Sequence, residues 1–197
     1  MCGRYALTFN LAEICAFFAT QTSLSAWEPH YNLGPGMQLP IIIKGRLGLA
    51  QWGWPSIAAG VKPLINIRSE TAANKPSFAR SWNEGRHALV PASGFYEWDA
   101  SGQPYYVQDA SQEIMAFKAL WTRDENDKPC FAILTEAATG SLLPIHPRAP
   151  QMVGVKGQAI TQAMPIAVGR GVNDIGQNSP ALMEPTLDAT QGNLWVA

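Results

Sequence analysis

The residues best suited to chemistry stand at the very start of the chain, in MCGRYAL (1–7). A cysteine after the initiator methionine is small enough for methionine aminopeptidase to act, so Met1 is expected to be removed and Cys2 to become the N-terminus. Cys2 would then carry a thiol with a reference pKa of about 8.5 and an α-amine of about 7.7 to 8.0, two bonds from one Cα. No internal residue offers both nucleophiles. Gly3 lets the backbone approach a ligand closely, and the Arg4 guanidinium, if near, would favour thiolate over thiol. Taken alone, the stretch fits a reactive terminus or a frayed end with an incidental cysteine.

Three further stretches hold polar groups in unusual company. In INIRSET (65–71), Ile65 and Ile67 alternate with Asn66, Arg68 and Glu70. That pattern is expected of a strand whose polar face is either solvated or set to bind an oxygen-rich ligand. In LVPASGFYEW (89–98), residues 91–94 read as a turn and Glu97 sits among Phe95, Tyr96 and Trp98. A carboxylate in aromatic surroundings suits proton transfer near neutrality, although an edge strand with a wet face would look the same. In LLPIHPRAP (142–150), His146 and Arg148 lie between Pro144, Pro147 and Pro150. The prolines limit backbone freedom around the imidazole, and rigid mounting is what a general acid or base needs.

The elements that must hold these groups are short. Asn10 followed by Glu13 is a capping pattern, and Leu11, Ile14, Cys15 and Phe18 repeat at helical spacing, so residues 11–19 read as an amphipathic helix with Cys15 in the core. Residues 40–52 read as a hairpin turning at Lys44, Gly45 and Arg46. Strands are expected at 87–92, 94–99, 104–110, 114–121 and 130–138, and 151–170 has only weak periodicity. The expected class is α+β, mainly β, as a single domain over residues 2–197 with a few flanking helices.

Composition narrows the function classes. The chain has 197 residues, 47% hydrophobic and 15% charged, with 17 Gly and 15 Pro. A chain of that size can bury about 70% of its unfolded surface without a staple. A net charge of -1 argues against broad, charge-driven binding to nucleic acid or anionic membrane. Cys2, Cys15 and Cys130 show no paired spacing, and His30, His87 and His146 are scattered, so neither a disulfide framework, a metal site nor a cofactor is expected. With no apolar run of membrane length and no secretory pattern at the start, a cytoplasmic location is expected.

In their joint order these pieces resemble the SRAP (SOS response-associated peptidase, or abasic site processing) family. The matching stretches are MCGRYAL, YNLGPG (31–36), WGWP (52–55), INIRSET, RHALVPASGFYEW (86–98), LTEAATG (134–140), IHPRAP (145–150) and VNDIGQNSPALMEP (172–185). The chain departs from the family in a short 52–66 stretch and in Ala149, where methionine is usual.

The resemblance implies a barrel-like, bifurcated β core and a covalent trap for abasic sites in single-stranded DNA. The catalytic positions fall on Cys2, Asn66, Glu97 and His146, and phosphate-binding arginines on Arg4, Arg68 and Arg148. Asn32, Pro35 and Trp52 would line the DNA cleft. It further implies a thiazolidine crosslink, accompanying lyase and self-processing peptidase activities, a monomer, and association with the nucleoid when bound to DNA. Two other readings stand beside it. An N-terminal-nucleophile amidohydrolase or glutamine amidotransferase would use Cys2 as acyl acceptor. A non-catalytic DNA-binding module would use the arginines and leave Cys2 and Glu97 idle.

Overall fold

The computed structural model describes residues 2–56, 60–111, 114–154, 159–160 and 163–167, and the backbone of two short strands at Leu187–Asp188 and Leu194–Trp195. The 172–185 motif and part of 151–170 lie outside the described residues. The first strand, β1 (Arg4–Leu7), leads into α1 (Leu11–Phe17). This helix starts where the sequence places it, because Asn10 accepts from the Glu13 amide while the Glu13 carboxylate accepts from the Asn10 amide, satisfying two otherwise orphaned donors. Cys15 is half-buried against the core.

Strands β2 (Gln21–Thr22) and β3 (His30–Leu33) precede a hairpin of β4 (Gln38–Ile43) and β5 (Arg46–Trp52). Lys44 and Gly45 both take positive φ, 48° and 73°, the geometry that matches a two-residue turn to strand twist. Beyond it come β6 (Asn66–Arg68), α2 (Ser69–Ala72) and α3 (Pro76–Asn83). Glu70 therefore lies on a helix, and the polar strand face expected over 65–71 ends at Arg68. Periodicity could not show this, because three residues of alternation followed by one helical turn read like a longer strand. The sequence pattern predicts neither α2 nor α3, although α3 opens on Pro76, a residue suited to the first helical position.

Next come β7 (His87–Ala92), β8 (Gly94–Trp98), β9 (Pro104–Asp109), β10 (Met115–Arg123) and β11 (Pro129–Ala137), then β12 (Arg148–Pro150), β13 (Met152–Val153) and β14 (Ala163–Ala167). The expected turn at 91–94 is instead a single bend at Ser93 between two strands. There the chain leaves one sheet for another.

Pairing explains the architecture. β5 pairs β4, β4 pairs β7, β7 pairs β10, β10 pairs β11, and β11 returns to β5 in parallel, so five strands close into a barrel. A second sheet in the order β14-β9-β8-β1-β3 lies against it. Tyr5, Leu7 and Phe95 from that sheet share one buried cluster with Leu39, Trp52, Val90, Phe117 and Phe131 from the barrel. A smaller cluster of Trp54, Ile67, Phe78, Leu120 and Leu134 seals α2 and α3 onto the outside. The fold is mainly β, as expected. Among the described residues no helix is long and apolar enough to cross a membrane.

Candidate active site

Register brings the start of the chain to Glu97. β1 and β8 run antiparallel with Arg4 opposite Tyr96 and Tyr5 opposite Phe95, so Glu97 extends past Arg4 toward Gly3 and Cys2. Because faces alternate along a strand, Tyr5, Phe95 and Glu97 point inward, while Tyr96 and Ala6 belong to an outer aromatic cluster with Tyr106. Cys2 is fully buried and Glu97 is 6% exposed.

Asn66 closes this group from the barrel side. β6 lies parallel to β11 with Asn66 beside Ile133 and Arg68 beside Thr135. Ile67 faces the α2–α3 cluster, which turns Asn66 to the other side. Its Nδ2 donates to the Cys2 carbonyl oxygen at 2.8 Å, and its Oδ1 is buried without a hydrogen-bond partner.

The electrostatics of Cys2 correct one expectation. Burial, with the Glu97 carboxylate adding to it, pushes the thiol well above the ordinary range: a buried thiolate loses hydration and meets a like charge. Arg4 does not offset this by pairing with the sulfur. Its Nη1 donates to Asn32 Oδ1 at 2.7 Å, across the β1–β3 ladder, where Asn32 is only 3% exposed.

His146 and Arg148 form a second group. The backbone N–H of Arg148 donates to His146 Nδ1 at 3.0 Å, so the short loop that carries both residues orients the imidazole ring. The Arg148 guanidinium is bound through both terminal nitrogens. Nη1 donates to Glu70 Oε1 at 2.6 Å, and Nη2 to Glu70 Oε2 at 2.9 Å and to the Thr135 carbonyl at 2.6 Å. These bonds hold the Glu70 carboxyl down at about 2 and raise the guanidinium. Arg148 thus ties α2 to β11 and β12, a commitment at odds with its expected role as a phosphate ligand. Asn66 and Arg68, two residues apart on β6, connect the two groups.

The cleft residues separate. Pro35 is exposed at the tip of a turn in which Gly36 has φ 88° and Met37 N–H donates to the Gly34 carbonyl. Arg68 is exposed as well. Trp52 is not at the surface: it is 0% exposed, stacks on Phe131, and donates its indole N–H to the Ile65 carbonyl at 3.0 Å. An indole buried on all sides cannot line a DNA cleft, and Trp52 instead supports the strand that carries Asn66. Sequence reasoning did not single out Thr135, whose carbonyl accepts from both Ser69 and Arg148; a threonine in an apolar strand carries no local sign of that role. Among the described residues no cluster of His, Cys, Asp or Glu could hold a metal ion.

The fold is that of a mainly β protein in which a closed five-strand barrel joins a second sheet, and Cys2, Asn66 and Glu97 come together where they meet. The family model for SOS response associated peptidase (SRAP) matches residues 1–162, and the chain belongs to the SRAP family. It is 29% identical over 165 residues to the Escherichia coli abasic site processing protein YedK, covering 76% of this chain and 74% of that one. It is 31% identical over 168 residues to the Bacillus subtilis abasic site processing protein YobE, covering 76% of each. A crystal structure of a Bacteroides thetaiotaomicron protein shares the fold with a TM-score of 0.79 at 17% identity, covering 94% of this chain and all of that one.

Proposed function

We propose that this protein processes abasic sites by trapping them covalently through Cys2. Relatives named abasic site processing proteins support the coarse activity. The chemistry rests on one observation above the others, the hydrogen bond from Asn66 to the Cys2 carbonyl beside the buried Glu97.

The sequence carries Met1, and while it is attached the Cys2 nitrogen is an amide. Removing Met1, by an aminopeptidase or by the protein's own peptidase activity, yields a primary amine. A ring-opened abasic sugar exposes an aldehyde. The amine adds to its carbon, and loss of water leaves an iminium. The Cys2 sulfur then uses a lone pair to bond the same carbon while the C=N π pair returns to nitrogen, and the thiol proton passes to Glu97. The product is a five-membered thiazolidine. Serine cannot form that sulfur ring, and an internal cysteine lacks the amine.

Asn66 fixes the Cys2 backbone so that amine and thiol address one carbon. Glu97 handles the thiol proton, and His146 protonates the ring oxygen during sugar opening or the departing hydroxyl. Arg4 and Arg68, with Pro35 at the adjoining turn, contact the single-stranded backbone; the buried Asn32, expected in the cleft, instead holds the Arg4 guanidinium, while Arg148 holds the loop of His146. Local arginine contacts reconcile DNA binding with a net charge of -1. Lyase activity follows where the iminium loses the C2′ proton and the C3′–O bond breaks, expelling the 3′-phosphate and leaving a C2′=C3′ double bond, before the sulfur closes. The protein acts as a monomeric single domain in the cytoplasm, at the nucleoid when bound.

The test is a denaturing gel of the Met1-free protein mixed with a single-stranded oligonucleotide bearing one abasic site. A shifted band with wild type and none with Cys2→Ala supports the proposal. Equal bands, or none with wild type, refute it.

A further inference from the structure

The inward face of β1 carries a polar group that the mechanism above leaves unused. Tyr5 is 0% exposed, its ring packing edge-on against Trp52 and Phe117 at centroid distances of 5.4 and 5.6 Å. Its hydroxyl is buried and makes no hydrogen bond among the described residues. A buried hydroxyl without a partner costs about 1 to 3 kcal/mol, and phenylalanine would fill the same space without that cost.

The hydroxyl has company of one kind. Tyr5 faces Phe95 across the ladder, so Glu97, two residues on, is its diagonal neighbour on the same inward face. Cys2 enters the same buried cluster three residues before Tyr5. Asn66 is held against the Cys2 carbonyl, next to the Ile65 carbonyl that Trp52 braces. The Cys2 sulfur donates to the Arg4 carbonyl at 3.8 Å, and its buried neighbourhood is shared by the Glu97 carboxyl from β8, the Asn66 amide from β6, the residue's own α-amine and the Tyr5 phenol from β1. Among these groups the phenol is a buried donor whose hydrogen is unused among the described residues, and it can donate without gaining charge.

We propose that Tyr5 Oη–H donates a hydrogen bond to the Cys2 sulfur as it becomes the ring-closing nucleophile, a role that rests on the thiazolidine reading. Tyr5 transfers no proton: the thiol proton still leaves to Glu97, and the phenol stabilises the electron pair left on sulfur until the C–S bond forms. Burial pushes the Tyr5 phenol up, the nearby Cys2 adding to it, so the phenol stays a donor wherever the amine is reactive. The bond offsets part of the penalty that burial and Glu97 place on the thiolate.

Tyr5→Phe tests this, since it removes one oxygen and keeps the ring packing. On Met1-free protein, alkylation of Cys2 by iodoacetamide is followed against pH, with Cys2, Cys15 and Cys130 peptides resolved by mass. Tyr5→Phe is expected to slow Cys2 alkylation about tenfold near neutral pH, the worth of one hydrogen bond to a charged group. Its pH profile should move up by about one unit while the thermal midpoint holds or rises. Crosslinking to the abasic oligonucleotide should slow in parallel. An unchanged Cys2 profile, or one that moves only with a fall in the thermal midpoint, overturns the role of Tyr5. Wild type that alkylates normally yet never crosslinks overturns the thiazolidine reading instead, and the alkylation profiles still decide the role of Tyr5.

Discussion

Asn66 Nδ2 donates to the carbonyl oxygen of Cys2 at 2.8 Å, joining two residues that are 64 positions apart in the chain. Since β6 is held between β11 and the α2–α3 cluster, this bond sets where the start of the chain lies relative to the barrel. Asn66→Ala should slow crosslinking about tenfold or more, from the loss of one positioned hydrogen bond, with an unchanged circular dichroism spectrum. Asn66→Asp should be worse, because it sets a carboxylate against a carbonyl. Single-turnover crosslinking rates check both.

The Glu70–Arg148 pair predicts an acid-side effect. Glu70 has its carboxyl lowered from 4.5 to about 2, so the folded state favours its ionised form. The resulting stability is complete above pH 4.5 and is lost as pH falls through about 2. Glu70→Gln should therefore flatten the decline of thermal midpoint between those pH values. The effect should be modest and shrink in salt, as Glu70 is half-exposed.

Gly94 sits where β8 passes under the Tyr106 ring, and a Cβ there would overlap the ring atoms. Gly94→Ala should destabilise the fold by about 1 to 3 kcal/mol through overpacking, measured by urea denaturation. Since Gly94 lies opposite Ala6, the same change should loosen β1 and lower crosslinking yield near the midpoint.

Arg68 is exposed beside Asn66 on β6. Arg68→Ala should weaken binding to intact and abasic single strands alike and reduce the slope of log K against log salt by about 0.7, one phosphate contact. Fluorescence anisotropy at several salt concentrations measures it.

Legibility in the sequence followed the range of the interactions. The capping box at Asn10 and Glu13 and the turn at Lys44–Gly45 are local, and both appear where residue type and spacing put them. The switch from strand to helix at Ser69 was not legible, because it depends on Thr135 accepting from the Ser69 hydroxyl and on Glu70 meeting Arg148, contacts made across 66 and 78 positions. Trp52 shows the same limit: the family resemblance put it in the DNA cleft, yet barrel closure between β5 and β11 places it inside. The inward alignment of Glu97 with Tyr5 also needed the β1–β8 register.

The central claim is that both nucleophiles of Cys2 bond one aldehyde carbon, and the intact mass of the adduct tests it most directly. Met1-free protein and a single-stranded abasic oligonucleotide should give an adduct at the sum of their masses less one water. It should map to the Cys2 peptide and be unchanged by borohydride, since a thiazolidine has no C=N bond to reduce. An adduct that survives only after borohydride treatment, or that maps to a lysine, would contradict the account.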